Sequence, residues 1–215
     1  MSKENKSPKR ARSRGEVTRE RLIEVACDEF IHRGFHGTSM RQIADKAGVA
    51  VGGIYNHFDS KDALFAAVLD AYHPYHAVLP ALEQSQGASK EAFILDTVQR
   101  VWQHIHGQEN RLVPLLLIEM VEFQGRHMAA MADRLFPILI EFVNRFDERG
   151  QPLVLPAPVV LRSLMSVMVG HMLTEMILAR SPLMKELKYD WFGTTMDIFL
   201  HGVIRSAARP LPAPG

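Results

Sequence analysis

Ten histidines are the residues of this 215-residue chain that first invite a metal or acid–base reading. Their spacing argues against both. His104 and His106 stand two apart, which turns them about 200° from each other on a helix, so they share no face. His73 and His76 have the i, i+3 spacing, but Pro74 lies between them. No HExxH run or Cys/His spacing is present, so no metal site is expected and no cofactor is implied. There is no GxSxG elbow, glycine-rich phosphate loop or pair of carboxylates on one helical face, and catalysis is not expected. The single cysteine, Cys27, rules out an intramolecular disulfide framework. It falls on an apolar helical stripe beside Ile23 and Phe30, as a small apolar residue would.

The chemistry that remains is recognition, and it sits between Gly34 and Leu64. Gly34 can take the left-handed cap that ends a helix. Thr38 and Ser39 offer N-cap hydroxyls, and Ser39 with Gln42 has the spacing of a capping box. Met40, Ile43, Ala44 and Ala47 then make one buried face of a short helix. Gly48 can supply the positive φ of a tight turn, with Val49 plugging the angle after it. The next helix buries Ile54 and Phe58, and Ser60 or Asp59 caps the helix that follows. Two helices across so short a turn form a helix-turn-helix, whose second helix fits the DNA major groove. By that geometry Ala50, Val51, Gly52, Gly53 and Asn56 face DNA. Asn56 could read adenine, and Val51 could pack on a thymine methyl.

The string closely resembles the N-terminal domain of TetR-family transcriptional regulators. Its marks here are Gly34-Phe35, Thr38-Ser39, Ile43-Ala44, Ala47-Gly48-Val49, Ile54-Tyr55, Phe58, Ser60-Lys61 and Leu64. The resemblance covers residues 17 to 72 or so and implies that Thr38 or Ser39, Tyr55, His57 and Lys61 contact phosphates. Arg41, at the start of the first helix, could reach a base or a phosphate. The chain also departs from the family. Many members carry a hydroxyl and a basic residue where Ala50 and Val51 stand, and a hydroxyl where Gly53 stands. With few side-chain donors on this helix, close backbone approach through Gly52-Gly53, a basic arm and DNA shape would carry more of the specificity.

These residues need elements to hold them, and every strong period in the sequence is helical. Net charge is only +1, but residues 1–14 carry Lys3, Lys6, Lys9, Arg10, Arg12 and Arg14 against Glu4, leaving the remainder at −4. That arm suits phosphate or minor-groove contact and is expected to be disordered without DNA. Helix 1 is expected from Glu16 to His32, and a helix from Lys61 stops or kinks at Pro74. Pro80 and Glu83 to Ser89 read as a connection. Five further helices follow, and Arg111 to Gln124 is apolar almost all round, as a helix at a domain centre would be. The expected fold is all-α with about nine helices. Residues 1–14 form the arm, 15–60 the helix-turn-helix domain, 61–78 a linking helix, 79–209 a ligand-binding and dimerisation domain, and 210–215 a frayed tail. No secretory signal is recognisable, and no apolar run reaches about eighteen residues without charges interrupting it, so a soluble, cytoplasmic protein with no membrane partner is expected.

The last two helices carry more apolar girth than one antiparallel neighbour covers. A homodimer interface is therefore expected around Leu161, Met165, Met168, Met172, Met176, Ile177, Met196, Phe199 and Val203. Buried helices rich in Met, Phe and Leu suit an adaptable apolar cavity. Trp102, Met120 and Phe123 are candidates to line it, and His106, Glu119, His127, His171 and Glu175 to orient a ligand. With the resemblance, this reads as a one-component regulator, a repressor, whose homodimer binds a pseudo-palindromic operator in double-stranded DNA. A small apolar or amphipathic effector would release it by shifting the linking helix. A second reading is a ligand-independent DNA-binding structural or interaction protein whose helical body recruits a protein partner.

Overall fold

Ser13 starts the first helix with a complete capping box: its hydroxyl accepts from the Glu16 N–H at 3.2 Å, and the Glu16 carboxylate accepts from the Ser13 N–H at 2.7 Å. The helix, α1 (Arg14–Arg33), ends at Gly34 with φ +71°. In this computed structural model residues 13–84, 90–107, 111–147, 155–178, 180–187 and 189–204 are described. They form eleven helical segments and no strand: after α1 come α2 (Met40–Ala47), α3 (Val51–Tyr55), α4 (Lys61–Tyr72) and α5 (Tyr75–Gln84). Then follow α6 (Lys90–Gly107), α7 (Leu112–Phe123), α8 (Arg126–Asp147), α9 (Ala157–Leu178), α10 (Pro182–Glu186) and α11 (Trp191–Ile204). The fold is all-α, as expected. The two segments beyond the nine anticipated are α5, where a connection was read, and α10, a single turn started by Pro182.

Pro80 lies inside α5. A proline there removes one backbone hydrogen bond and normally breaks a helix. The helix forms nonetheless, because it packs along α6 with Ala81 buried. Pro74 acts as expected: α4 stops at Tyr72, and His73 is extended (ψ 135°).

The chain divides into two compact units. The first contains the residues up to His73 together with Pro114–Gln124; the second contains Pro74–Val113 and Gly125–Gly215. The segment from Pro114, expected in the body, thus joins the first unit. That unit's core is Leu22, Phe30, Ile43, Ile54, Leu64, Phe65 and Leu69, all fully buried. Its rings form a connected group: Phe65 lies edge-on to Phe30 at 5.3 Å and stacks with Phe123 at 4.8 Å, and Phe35 meets Phe123 at 4.7 Å. Leu115 and Glu119 are buried, but Leu117, Met120 and Val121 are exposed, Val121 to 78%. The expectation that this helix is buried all round is corrected. One face serves the core and the other does not.

In the second unit Val160, Phe199 and Leu200 pack with Ile94, Leu95, Leu155, Leu164 and Val167, which joins α6, α9 and α11. α9 is the one helix among the described residues long and apolar enough, by length and composition, to cross a membrane, and little of that span is buried. Arg162 and Glu175 interrupt its apolar run.

Candidate nucleic-acid interface

The first of the two short helices is set by local chemistry. Ser39 caps α2, its hydroxyl accepting from the Gln42 N–H at 3.2 Å while Gln42 Oε1 accepts from the Ser39 N–H at 2.8 Å. Gly48 takes the left-handed conformation (φ 71°, ψ 30°), and its N–H donates back to Asp45. Val49 then donates to the Ala44 carbonyl at 2.9 Å. From Ala50 the chain turns into α3, and the Phe58 N–H donates to the Ile54 carbonyl at 3.0 Å, so helical bonding continues past Tyr55. Ile54 and Phe58 are buried beneath this helix and fix which face points out.

That outer face carries Ala50, Val51, Gly52, Tyr55 and Asn56, all exposed, with Val51 at 39% and Tyr55 at 50%. Arg41 and Ser39 are exposed on α2 and its cap, and His57 is half-buried. Gly53 differs. A β-carbon on it would stand 2.8 Å from Val49 Cγ1, so its missing side chain serves the join between α3 and the turn. Nothing lies within 4 Å of a β-carbon on Gly52, which is the glycine open to an approaching backbone.

Two residues expected on phosphates point inward. Thr38 is buried, and its single hydroxyl proton is shared between the carbonyls of Glu29 at 3.1 Å and Gly34 at 2.9 Å. Lys61 donates from Nζ to the carbonyls of Phe35 and Thr38, both at 2.7 Å, with the ammonium 4.3 Å from the centre of the Phe35 ring. Burial lowers its pKa from the ordinary lysine value, and the Glu122 carboxylate opposes that shift. Of the Thr38/Ser39 pair, Ser39 is the hydroxyl left at the surface.

Sequence reasoning missed Glu29. It is buried in α1 and holds Lys46 of α2 on one oxygen and Arg33 Nε on the other at 3.3 Å. The signal was an acidic residue beside Ala26, Cys27 and Phe30 on the apolar stripe. Arg19 of α1 lies 5.1 Å over the Phe58 ring and ties α1 to the end of α3.

The ligand candidates do not form a single site. Trp102 stacks on Phe192 (4.3 Å, 9°), and His171 meets both rings edge-on, with its Nε2 3.8 Å from Glu175. Phe123 and buried Glu119 lie in the first unit, where Phe123 is taken up by Phe35 and Phe65, and Met120 is exposed. His127 is half-buried on α8. The side chains of His106 and Val203 lie outside the described residues, as do most of the basic arm and the 210–215 tail. Among the described residues no group of three metal-ligating side chains occurs.

The dimer candidates divide in the same way. Met172, Met196 and Phe199 are buried within the chain and cannot present a face to a second copy. Leu161 and Met168 are half-buried, while Met165, Met176 and Ile177 are exposed, the last to 68%. Val169, Trp191 and Ile198 join them at the surface.

Residues 22–68 match the family described as bacterial regulatory proteins, tetR family. The chain is similar to the uncharacterized HTH-type transcriptional regulator YdgC of Bacillus subtilis, 39% identical over 62 residues, 29% of this chain and 32% of that protein. It is similar to the HTH-type transcriptional regulator TtgR of Pseudomonas putida, 37% identical over 78 residues, 36% of this chain and 37% of that one. The match thus spans about a third of the length of these relatives. The fold is similar over 90% of this chain to the fatty acid degradation regulator FadR from Bacillus halodurans, covering 97% of that chain with TM-score 0.67 and 16% identity.

Proposed function

The chain belongs to the TetR family of bacterial transcriptional regulators, and from that membership we propose that it is a one-component repressor that binds operator DNA as a homodimer. The observation that carries the reading is the face of α3. Buried Ile54 and Phe58 turn Val51, Gly52, Tyr55 and Asn56 outward together, with Arg41 exposed at the start of α2. A major groove accepts such a helix, and Asn56 supplies its one amide for adenine. Ser39, Tyr55 and His57 take the phosphates, and the basic arm, residues 1–12 now that Ser13 and Arg14 belong to the start of α1, adds sequence-independent attraction.

The partner copy covers the exposed apolar residues of α9 and α11: Met165, Val169, Met176, Ile177 and Ile198. Such an isologous face gives a pseudo-palindromic operator. A small apolar or amphipathic effector is taken in the body, with Trp102, His171 and Glu175 as its recognition group, and it weakens DNA binding. The protein works in the cytoplasm, where its DNA is. Selection of bound duplexes from a randomised pool tests this reading. Small molecules that co-purify with the protein, identified by mass spectrometry and added back, should then release the selected duplex. Failure to enrich any duplex would remove the operator reading.

A second reading is favoured by the exposed Leu117, Met120 and Val121 of α7, an apolar face on a regulator that could recruit a protein partner without an effector. Release of DNA by a co-purified small molecule would decide against it.

A further inference from the structure

We infer that Lys61 is a positioning residue for DNA recognition, acting inward on the loop before α2 instead of outward on a phosphate. It rests on the DNA-binding reading above. The loop 34–39 joins α1 to α2, and its last residue, Ser39, is the α2 cap. Lys61, at the first position of α4, donates to the carbonyls of Phe35 and Thr38. These carbonyls lie at two points along one short loop, so one ammonium sets their separation. The bond to the Thr38 carbonyl sits on the peptide link to Ser39 and so bears on where α2 begins.

Two further elements close on the same loop. From α1, the Glu29 carbonyl shares the Thr38 hydroxyl proton with the Gly34 carbonyl at the start of the loop. From α7, the Phe123 ring meets Phe35 at 4.7 Å, and Glu122 accepts from His36 Nε2 at 2.8 Å. The Phe35 ring therefore has the Lys61 ammonium at 4.3 Å from its centre and Phe123 at its side. A cation over a ring and charge-assisted bonds to two carbonyls make a directional clamp. With two of its three donors and one ring face committed, the ammonium stabilises the geometry of the head. Glu122 and Phe123 belong to the same clamp, although they lie some sixty residues further along the chain.

The test separates a phosphate contact from a clamp. Operator duplex, first selected from a randomised pool by the parent protein, is titrated with parent and Lys61→Met over a range of salt concentrations. A clamp predicts affinity lower by about tenfold, the scale of one charge-assisted hydrogen bond, with the log–log salt slope unchanged. A phosphate contact predicts a slope smaller by about 0.9 for each lysine lost, about 1.8 for the two copies of a dimer, and that result would overturn the inference.

Hydrogen exchange in the free protein gives a readout that requires no DNA. Lys61→Met should speed exchange at the amides of Thr38, Gln42 and Ile43, which bond to Phe35 and Ser39, and leave the middle of α1 unchanged. Unchanged exchange at those three amides would overturn the inference even if the parent selected no duplex, an outcome that would separately sink the operator reading. A uniform rise across the head would mean a general structural role and would also overturn it. Should Lys61→Met not fold, Lys61→Gln, which keeps a donor on a shorter stem, carries the same measurements.

Discussion

Gly53 lies so close to Val49 that a β-carbon on it would stand 2.8 Å from Val49 Cγ1, whereas its neighbour Gly52 has nothing within 4 Å of the same position. The two glycines are adjacent in sequence and opposite in use. Alanine is a better helix former than glycine by about 1 kcal/mol. Gly52→Ala should therefore raise the thermal midpoint followed by circular dichroism. Gly53→Ala should lower it, since Val49 is stiff at χ1 and overpacking costs about 1–3 kcal/mol. Equal midpoints for the two variants would mean that α3 can shift freely against the turn.

Glu29 joins α1 to α2 through Lys46, and its side chain is nearly buried while that of Lys46 is half-exposed. Lys46→Met should destabilise the protein by about 1–3 kcal/mol, because the buried carboxylate loses its charged hydrogen-bond donor and keeps only an ion pair with Arg33 that makes no hydrogen bond. Arg21→Met breaks a pair with Glu24 in which both side chains are exposed, and should change stability by no more than about 0.5 kcal/mol. Urea unfolding of the two variants measures the contrast.

The proposed dimer makes a prediction that distinguishes exposed from buried apolar residues. Ile177→Asp and Ile198→Asp place a charge on an exposed apolar position and should give folded monomer by light scattering, with helical content retained. Phe199→Asp should fail to fold, because Phe199 is buried against Val160 and Leu200 within the chain. Folded dimer from both isoleucine variants would place the interface elsewhere.

Much of the head was legible because its determinants are local. The Ser39–Gln42 capping box, Gly48 in the turn, and Ile54 with Phe58 all act within four residues of each other. Lys61 was not legible. Its acceptors lie 23 and 26 residues away, and a lysine at a helix start is equally suited to phosphate until the fold brings carbonyls to it. Phe123 was read as a ligand-cavity residue for the same reason: α7 is apolar almost all round, and only tertiary packing determines that its last turn joins the head. α5 formed where Pro80 argued for a connection, because packing along α6 overrode a local rule. Buried Met172, Met196 and Phe199 carry the same helical period as exposed Met165 and Ile177, so periodicity could not divide core from interface.

The basic arm should contribute affinity without sequence preference. Ser13 caps α1, so the deletion that leaves the helix intact ends at residue 12 and removes Lys3, Lys6, Lys9, Arg10 and Arg12. It should flatten the salt dependence of DNA binding by about 0.9 in log–log slope for each phosphate that the arm neutralises. An unchanged slope would mean the arm stays away from the phosphates.

Base reading by α3 is tested most directly at Asn56, exposed at the end of that helix. Parent and Asn56→Ala proteins would each select duplexes from one randomised pool, and the bound fractions would be sequenced. The parent should enrich two inverted half-sites whose centres lie one DNA turn, about 10 base pairs, or a multiple of it apart. Asn56→Ala should lose preference at one position in each half-site, by about 1–3 kcal/mol if the amide bonds both N6 and N7 of adenine, and keep the remainder. Identical preferences from the two proteins, or no enrichment by the parent, would contradict recognition through this face of α3.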